Sequence, residues 1–258
     1  MMDELEQLYD VIKNAAWLTL NREFRRNAIG GDMINLFHEY LDRAEKDPEV
    51  RSICITGAGD KVFCSGADLL AAFGSDDPLD GPRQYAALLK KLNEYSMPIV
   101  GRLNGHCLAG GMGLMLSCDI VYAREGIKIG TPEVNVGLFP MIIGAVIFRN
   151  ALRKKALEMI YTARMYTPKE AEDMGLITRV YPADQLDAEV EKTLESIAKK
   201  GPVGLRIGRQ ALSHIQDMPY EQAMDYLCKQ LGEVLKSEDS TEGLTAFLEK
   251  RAPVWKNR

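Results

Sequence analysis

The sequence predicts an α/β fold on three observations. Short apolar strand-like runs alternate with amphipathic helical stretches as far as Pro182, Gly, Pro and Asp punctuate the joints, and helical spacing alone continues beyond. Trp17 to Leu20 and Ser52 to Thr56 read as short buried strands, the second ended by Gly57-Ala58-Gly59-Asp60. Between them, from about Gly31 to Lys46, Met33, Leu36, Phe37, Tyr40, Leu41 and Ala44 recur every three or four residues, which places them on one face of a helix closed by Asp47-Pro48. The stretch from Gly74 to Pro82 has turn-forming composition and is expected to be a mobile surface segment suited to a substrate entrance, with an amphipathic helix following from Arg83 to about Tyr95. Met97 to Leu103 is the next strand, and it leads through a glycine-rich turn to another at Asp119 to Ala123. After Pro182 come helices at about Gln185 to Lys200, Pro202 to Ile215, Tyr220 to Leu235 and Ser240 to Lys250. Helices without strands must lay their apolar stripes on the first core or on another subunit. Spacing alone leaves open which α/β topology the strands adopt.

Composition narrows the function classes. The 258 residues, 46% hydrophobic and 27% charged, suffice for one large core with or without an appendage and exclude disordered and collagen-like chains. No apolar stretch approaches the roughly 18 residues that span a bilayer, and Met1-Met2-Asp3-Glu4-Leu5-Glu6 lacks the basic and apolar regions of a signal peptide. A cytoplasmic location without a membrane partner is therefore expected. The five cysteines, Cys54, Cys64, Cys107, Cys118 and Cys228, have no C-x-x-C spacing and sit mostly in apolar runs, the pattern of reduced, buried thiols. His38, His106 and His214 are too dispersed to suggest a metal cluster, so no metal is expected. The net charge of −5 opposes a nucleic-acid partner, and a polyanionic cofactor would need a local basic cluster. No internal repeat stands out.

Three segments carry the chemistry. Gly105-His106-Cys107-Leu108-Ala109-Gly110-Gly111-Met112-Gly113 sets nearly bare backbone at the start of an apolar helical run, where peptide N–H groups can point at a ligand oxygen. Phe63-Cys64-Ser65-Gly66-Ala67-Asp68 is a second small-residue loop after an apolar strand, and Thr131-Pro132-Glu133 sets one carboxylate between Gly130 and Gly137. Two N–H donors and one base suffice for enolate chemistry. In this order the segments resemble the signature sites of the crotonase superfamily, the enoyl-CoA hydratase/isomerase family, and the resemblance runs over nearly the whole chain.

The resemblance implies a repeated ββα spiral core with a C-terminal helical oligomerisation region. Residues 1–195 would form the core with the acyl-CoA site and residues 196–258 the trimerisation region, giving a homotrimer or a dimer of trimers. It implies a coenzyme A thioester as substrate and no permanently bound cofactor. By position in the matching motifs, Ala67 and Gly110 would donate to the thioester oxygen, helped by the dipole of the helix starting near Gly110; an isolated Gly-Gly would otherwise read as tight packing. Glu133 matches the catalytic glutamate and would carry proton transfer, the alternative being a carboxylate that satisfies free N–H groups at a helix start. Where hydratases of the family carry a second glutamate to hold and activate water, this chain has Gly113. That departure leans the reading toward enoyl-CoA isomerisation, with three alternatives: a hydratase with a substituted second acid, a non-catalytic acyl-CoA-binding protein, and a decarboxylase with Tyr85 or Tyr95 near the pocket.

Met141, Ile142 and Ile143 stand where specialised members place an aspartate, and Met141 and Ile142 suggest an apolar acyl pocket instead. Arg26, just before Asn27-Ala28, matches a position that contacts cofactor phosphate, while Phe247 and Lys250 match a C-terminal motif that closes over the nucleotide end, often from a neighbouring subunit. Cys64, Ser65, Ala67, Asp68 and Gly110 complete the expected substrate-binding set. Asp68 receives no catalytic role and could cap the turn after Gly66-Ala67. His106 is read as a packed, hydrogen-bonded residue.

Overall fold

In the computed structural model, residues 6–68 and 77–258 are described. Strands β1 (Gln7–Ile12), β2 (Ala15–Leu20), β3 (Ser52–Gly57), β5 (Ile99–Leu103), β7 (Ile120–Arg124) and β9 (Arg179–Tyr181) form a six-stranded sheet in the order β1-β2-β3-β5-β7-β9. Only the β1–β2 hairpin is antiparallel; the other neighbours run parallel. Strands β4 (Val62–Cys64), β6 (His106–Leu108) and β8 (Ile129–Gly130) form a second, parallel sheet of three. The chain winds between the sheets. It passes from β3 to β4 and then α2 (Asp80–Glu94), from β5 to β6 and then α3 (Gly110–Leu116), and from β7 to β8 before α4 (Met141–Asn150), stepping one strand along each sheet per turn. This is the ββα spiral.

Burial explains the winding. Every residue of β3 is buried, so both faces of the sheet need cover. Ile53 and Ile55 point into the main core with Phe37 and Leu41 of α1 (Gly31–Lys46) and Leu88 and Leu92 of α2. Cys54 and Val100, of opposite parity, meet Leu186, Val190 and Leu194 of α7 (Leu186–Ala198) on the other face. Helix α1 keeps its expected limits; Met33, Phe37, Tyr40, Leu41 and Ala44 are buried, and Leu36 packs partly buried against the core. Helix α2 starts at Asp80, three residues before the expected Arg83, so the turn-rich stretch ends sooner than its composition suggests. Residues 74–76 of that stretch, expected to be mobile, lie outside the described residues.

Between β8 and β9 come α4, α5 (Arg153–Thr162) and α6 (Pro168–Asp173), none of which the spacing revealed. The chain ends in α8 (Pro202–His214), α9 (Tyr220–Leu235) and α10 (Glu238–Glu249). Arg209 staples α8 to the core: its Nε pairs with Asp119 Oδ2 at 2.7 Å, and its other nitrogens donate to the carbonyls of Leu92, at 2.9 Å, and Tyr95. These carbonyls lie at the C-terminus of α2, where a cation meets the negative end of the helix. All five cysteines are free thiols; Cys54, Cys64 and Cys107 are buried, but Cys228 is exposed on α9, against the expectation drawn from the others. Helix α9 buries only Ala223, so an apolar neighbourhood in sequence did not mean burial there. No helix among the described residues is long and apolar enough to cross a membrane, and no group of three or more potential ligands there could hold a metal ion.

Candidate active site

Ala67 is aimed by its neighbours. It forms a parallel bridge with Ile29, in which the Ile29 N–H donates to Gly66 O at 2.8 Å and the Asp68 N–H donates to Ile29 O at 2.9 Å. In such a bridge the flanking peptides make the bonds, so the N–H of Ala67 itself faces the opposite way. It faces the start of α3. A Cβ on Gly66, whose φ is +104°, would lie 2.7 Å from Ala109 Cβ and 3.0 Å from Gly110 N, so only a glycine lets the two loops meet.

Gly110 is aimed by strain. Ala109 has φ 50° and ψ −127°, a region that costs a non-glycine residue about 1–3 kcal/mol, and it persists because the Ala109 N–H is held by Gly130 O at 2.9 Å. That twist starts α3 with the Gly110 N–H free of the strand. A Cβ on Gly110 would stand 3.3 Å from Ala67 N, in the space between the two amides. Among the described residues neither N–H has an acceptor. Helix α3 has seven residues, so its contribution at this end is that of its first-turn N–H groups.

Glu133 opens a short 3-10 turn, Glu133–Val136, directly after β8 and the buried Thr131. Its Oε2 is buried without a hydrogen-bond partner, and the residue forms no ion pair among the described residues. Burial pushes its carboxyl above the usual glutamate range, with only its own backbone N–H opposing the shift. A carboxylate whose purpose was to satisfy the N–H groups of a helix start would be held down instead. A buried, unpartnered carboxylate oxygen is costly.

Over Gly113 there is no vacant room. A Cβ there would overlap the Tyr85 hydroxyl and stand 2.8 Å from Ile143 Cγ2 and 3.2 Å from Leu89 Cδ1. The Tyr85 hydroxyl donates to the carbonyl of Gly110, and burial holds its phenol well above the ordinary tyrosine range. Sequence reasoning considered Tyr85 only for decarboxylation; a tyrosine on an amphipathic helix carries no sign of what it touches.

The remaining expected residues divide. Asp68 pairs with Arg22 at 3.1 Å, Arg22 also pairs with Glu6 at 2.9 Å, and its Nη1 donates to Ala28 O at 3.0 Å, so the Asp68 carboxylate is committed to holding the Ala67 loop. Cys64 is fully buried, its Sγ accepts from the Gly66 N–H at 3.5 Å, and burial pushes its thiol up to about 12, so its side chain shapes the loop from behind; Ser65 is half-buried. Arg26 lines a cavity of about 400 Å³ with Glu23, Phe24, Asn27, Lys61 and Val62, and its carbonyl accepts from the Ser65 N–H at 3.1 Å, which joins that cavity to the Ala67 loop. Asn27, Phe24 and Lys61 were not singled out in the sequence. Asn27 is buried and its Nδ2 donates to Ala58 O and Val62 O, at 3.1 and 2.8 Å. Met141 is exposed and Ile142 packs partly buried against the core. Phe247 and Lys250 lie at the end of α10, which packs on α8 and α9, and Phe247 is 80% exposed. His106 Nδ1 accepts from the Lys128 N–H at 2.9 Å, the packed role expected of it.

Two neighbouring amides without acceptors, a strained turn and a half-buried carboxylate are thus placed on a ββα spiral, and residues 12–258 match the family model described as enoyl-CoA hydratase/isomerase. The chain belongs to this family. It is 33% identical over 249 residues to an enoyl-CoA hydratase of Mycobacterium tuberculosis, covering 93% of this chain and 92% of the relative. It is 31% identical over 241 residues to a crotonyl-CoA hydratase of Syntrophomonas wolfei, covering 92% of each. The crystal structure of an enoyl-CoA hydratase from Bacillus anthracis superposes with a TM-score of 0.93 at 27% identity, over 98% of this chain and all of that one. Family membership makes the chain an enzyme of the lyase or isomerase type acting on coenzyme A thioesters.

Proposed function

We propose that the enzyme moves the double bond of an enoyl-CoA, converting a 3-enoyl thioester to its 2-enoyl isomer. Glu133, ionised, removes a proton from carbon 2. The electron pair passes to the thioester oxygen, which accepts the N–H groups of Ala67 and Gly110. Collapse of the dienolate takes the same proton from Glu133 onto carbon 4, leaving the double bond between carbons 2 and 3 and the carboxylate restored. Preorganised donors of this kind contribute a few kcal/mol each in related sites. The observation that carries the reading is the pairing of a half-buried Glu133, whose Oε2 is buried without a hydrogen-bond partner, with a Gly113 whose overlying space is filled by Tyr85, Ile143 and Leu89. Among the described residues one base is available there, and Gly113 supplies no second acid.

On the same reading Arg26 and the cavity it lines take coenzyme A phosphate, Met141 and Ile142 border the acyl chain, and Ser65 contributes backbone to the cleft. The helices of 196–258 assemble a trimer in which Phe247 and Lys250 close over a neighbour's nucleotide. The exposed Leu231, Leu235, Leu244, Phe247 and Leu248 support that assembly, since helices this apolar need cover.

Hydratase names among the relatives favour a second reading, water addition to a 2-enoyl-CoA. Incubation with 3-enoyl-CoA and with 2-enoyl-CoA in deuterated water separates the two. Isomerisation gives a moved double bond, with carbon-bound deuterium only in so far as the Glu133 proton exchanges with solvent before its return, and both are abolished in Glu133→Gln; a 3-hydroxyacyl product as the main outcome would select the hydratase.

A further inference from the structure

The space above Gly113 is closed by side chains from two elements on either side of the site: Tyr85 and Leu89 from α2, which follows the Ala67 loop, and Ile143 from α4, which follows Glu133. Tyr85 alone among them is polar. Its hydrogen is committed to the Gly110 carbonyl, on the residue whose N–H forms half of the donor pair, and it shares the wall over Gly113 with Ile143 of α4, the helix that follows the Glu133 turn. Its oxygen occupies the volume that the first carbon of any side chain at position 113 would need. We infer that Tyr85 is the specificity-determining and positioning residue of this site: its ring and hydroxyl deny a second acid and its water a place beside Glu133, and its hydrogen bond holds the first turn of α3 so that the Gly110 N–H keeps its aim. The inference rests on the proton-transfer reading above. It adds why proton return to carbon prevails over hydroxide addition at carbon 3. With desolvation raising its pKa well above the ordinary tyrosine range the phenol stays neutral, so it offers no competing base.

The test separates volume from hydrogen bonding. Tyr85→Phe keeps the ring and loses the anchor; kcat for isomerisation should fall about tenfold, in line with one lost hydrogen bond, with KM unchanged and the ratio of isomerised to hydrated product moved far less than by removal of the ring. Tyr85→Ala, or Tyr85→Leu should the smaller residue fail to fold, opens the space and should shift that ratio toward hydration by about tenfold or more. Gly113→Ala supplies an independent arm. In the wild type its methyl must displace the hydroxyl as well as press on Ile143 and Leu89, whereas in the Tyr85→Phe background only the Ile143 and Leu89 contacts remain, so it should cost less there than in the wild type, a non-additive cycle. A folded Tyr85→Ala or Tyr85→Leu enzyme with the wild-type product ratio, additive costs at 85 and 113, or a wild type that mainly hydrates, would each overturn the inference. Glu133→Gln, run in parallel, reports on the base alone. Activity that survives it rejects the underlying reading, while a Glu133-dependent enzyme with additive costs rejects only the role of Tyr85. No turnover of either thioester by the wild type rejects both.

Discussion

The two amides that meet at the site are held by opposite means. Ala67 is aimed by hydrogen bonding to a neighbouring segment and by a side-chain clamp, the Ile29 bridge and the Glu6–Arg22–Asp68 chain of ion pairs, with Arg22 largely buried. Gly110 is aimed by backbone strain at Ala109 and by close packing, with the Tyr85 hydroxyl bonded to its carbonyl. A clamp made of charges can be loosened gradually, by weakening one pair at a time. A donor set by a strained turn, with 3.3 Å of clearance between its missing Cβ and the opposite amide, is either placed or lost. The difference teaches that equal roles in the chemistry do not imply equal tolerance of change.

Substitutions sharpen this contrast in order of expected effect. Glu133→Gln removes the proposed base and should cost about 10²–10⁴ in kcat while leaving acyl-CoA binding, measured by calorimetry, close to wild type. Gly110→Ala places a methyl between the amides and should cost about 10²–10³ in kcat without loss of the fold by circular dichroism. Asp68→Asn weakens the clamp without entering the site, and kcat should fall about tenfold, with a lowered Tm. Arg22→Gln should behave alike, and the double variant should be no worse than the poorer single one, because the residues act as one unit. A greater loss in Asp68→Asn than in Gly110→Ala would break the comparison.

The smallest effects are those of pH. In the proposed mechanism Glu133 acts as a base when ionised, and burial sets its pKa above the ordinary glutamate value, so kcat/KM should rise with pH through a midpoint above that value. Stability runs the other way. A carboxyl whose folded pKa exceeds its unfolded one contributes stability below the unfolded pKa and loses it as pH rises through the folded one. Thermal melts should therefore find Glu133→Gln slightly more stable than wild type at neutral pH, with the gap closing in acid.

Much of this was legible in the sequence, and the failures have physical causes. Helix α1 was readable to its limits because its buried face repeats at helical spacing and Asp47-Pro48 stops it. Strand β1 was missed: it is an edge strand with mostly exposed residues, and its pairing is supplied by β2 rather than announced by alternation. Helix α4 was missed because Met-Ile-Ile-Gly-Ala-Val-Ile-Phe has no polar face to reveal a period. At the site, the glycines of the two loops showed where backbone approaches backbone, since only a missing side chain permits it. The Arg22–Asp68 pair and the Tyr85–Gly110 bond were invisible, because each joins positions far apart along the chain and depends on the winding that brings them together.

The central claim is that the Ala67 and Gly110 amides converge on one thioester oxygen. The infrared carbonyl stretch of a bound acyl-CoA, isolated by ¹³C labelling of the thioester carbon, tests it most directly. A shift to lower frequency is expected on binding, preserved in Glu133→Gln and largely abolished in Gly110→Ala. A carbonyl stretch at its free-solution position in the saturated wild-type complex would contradict it.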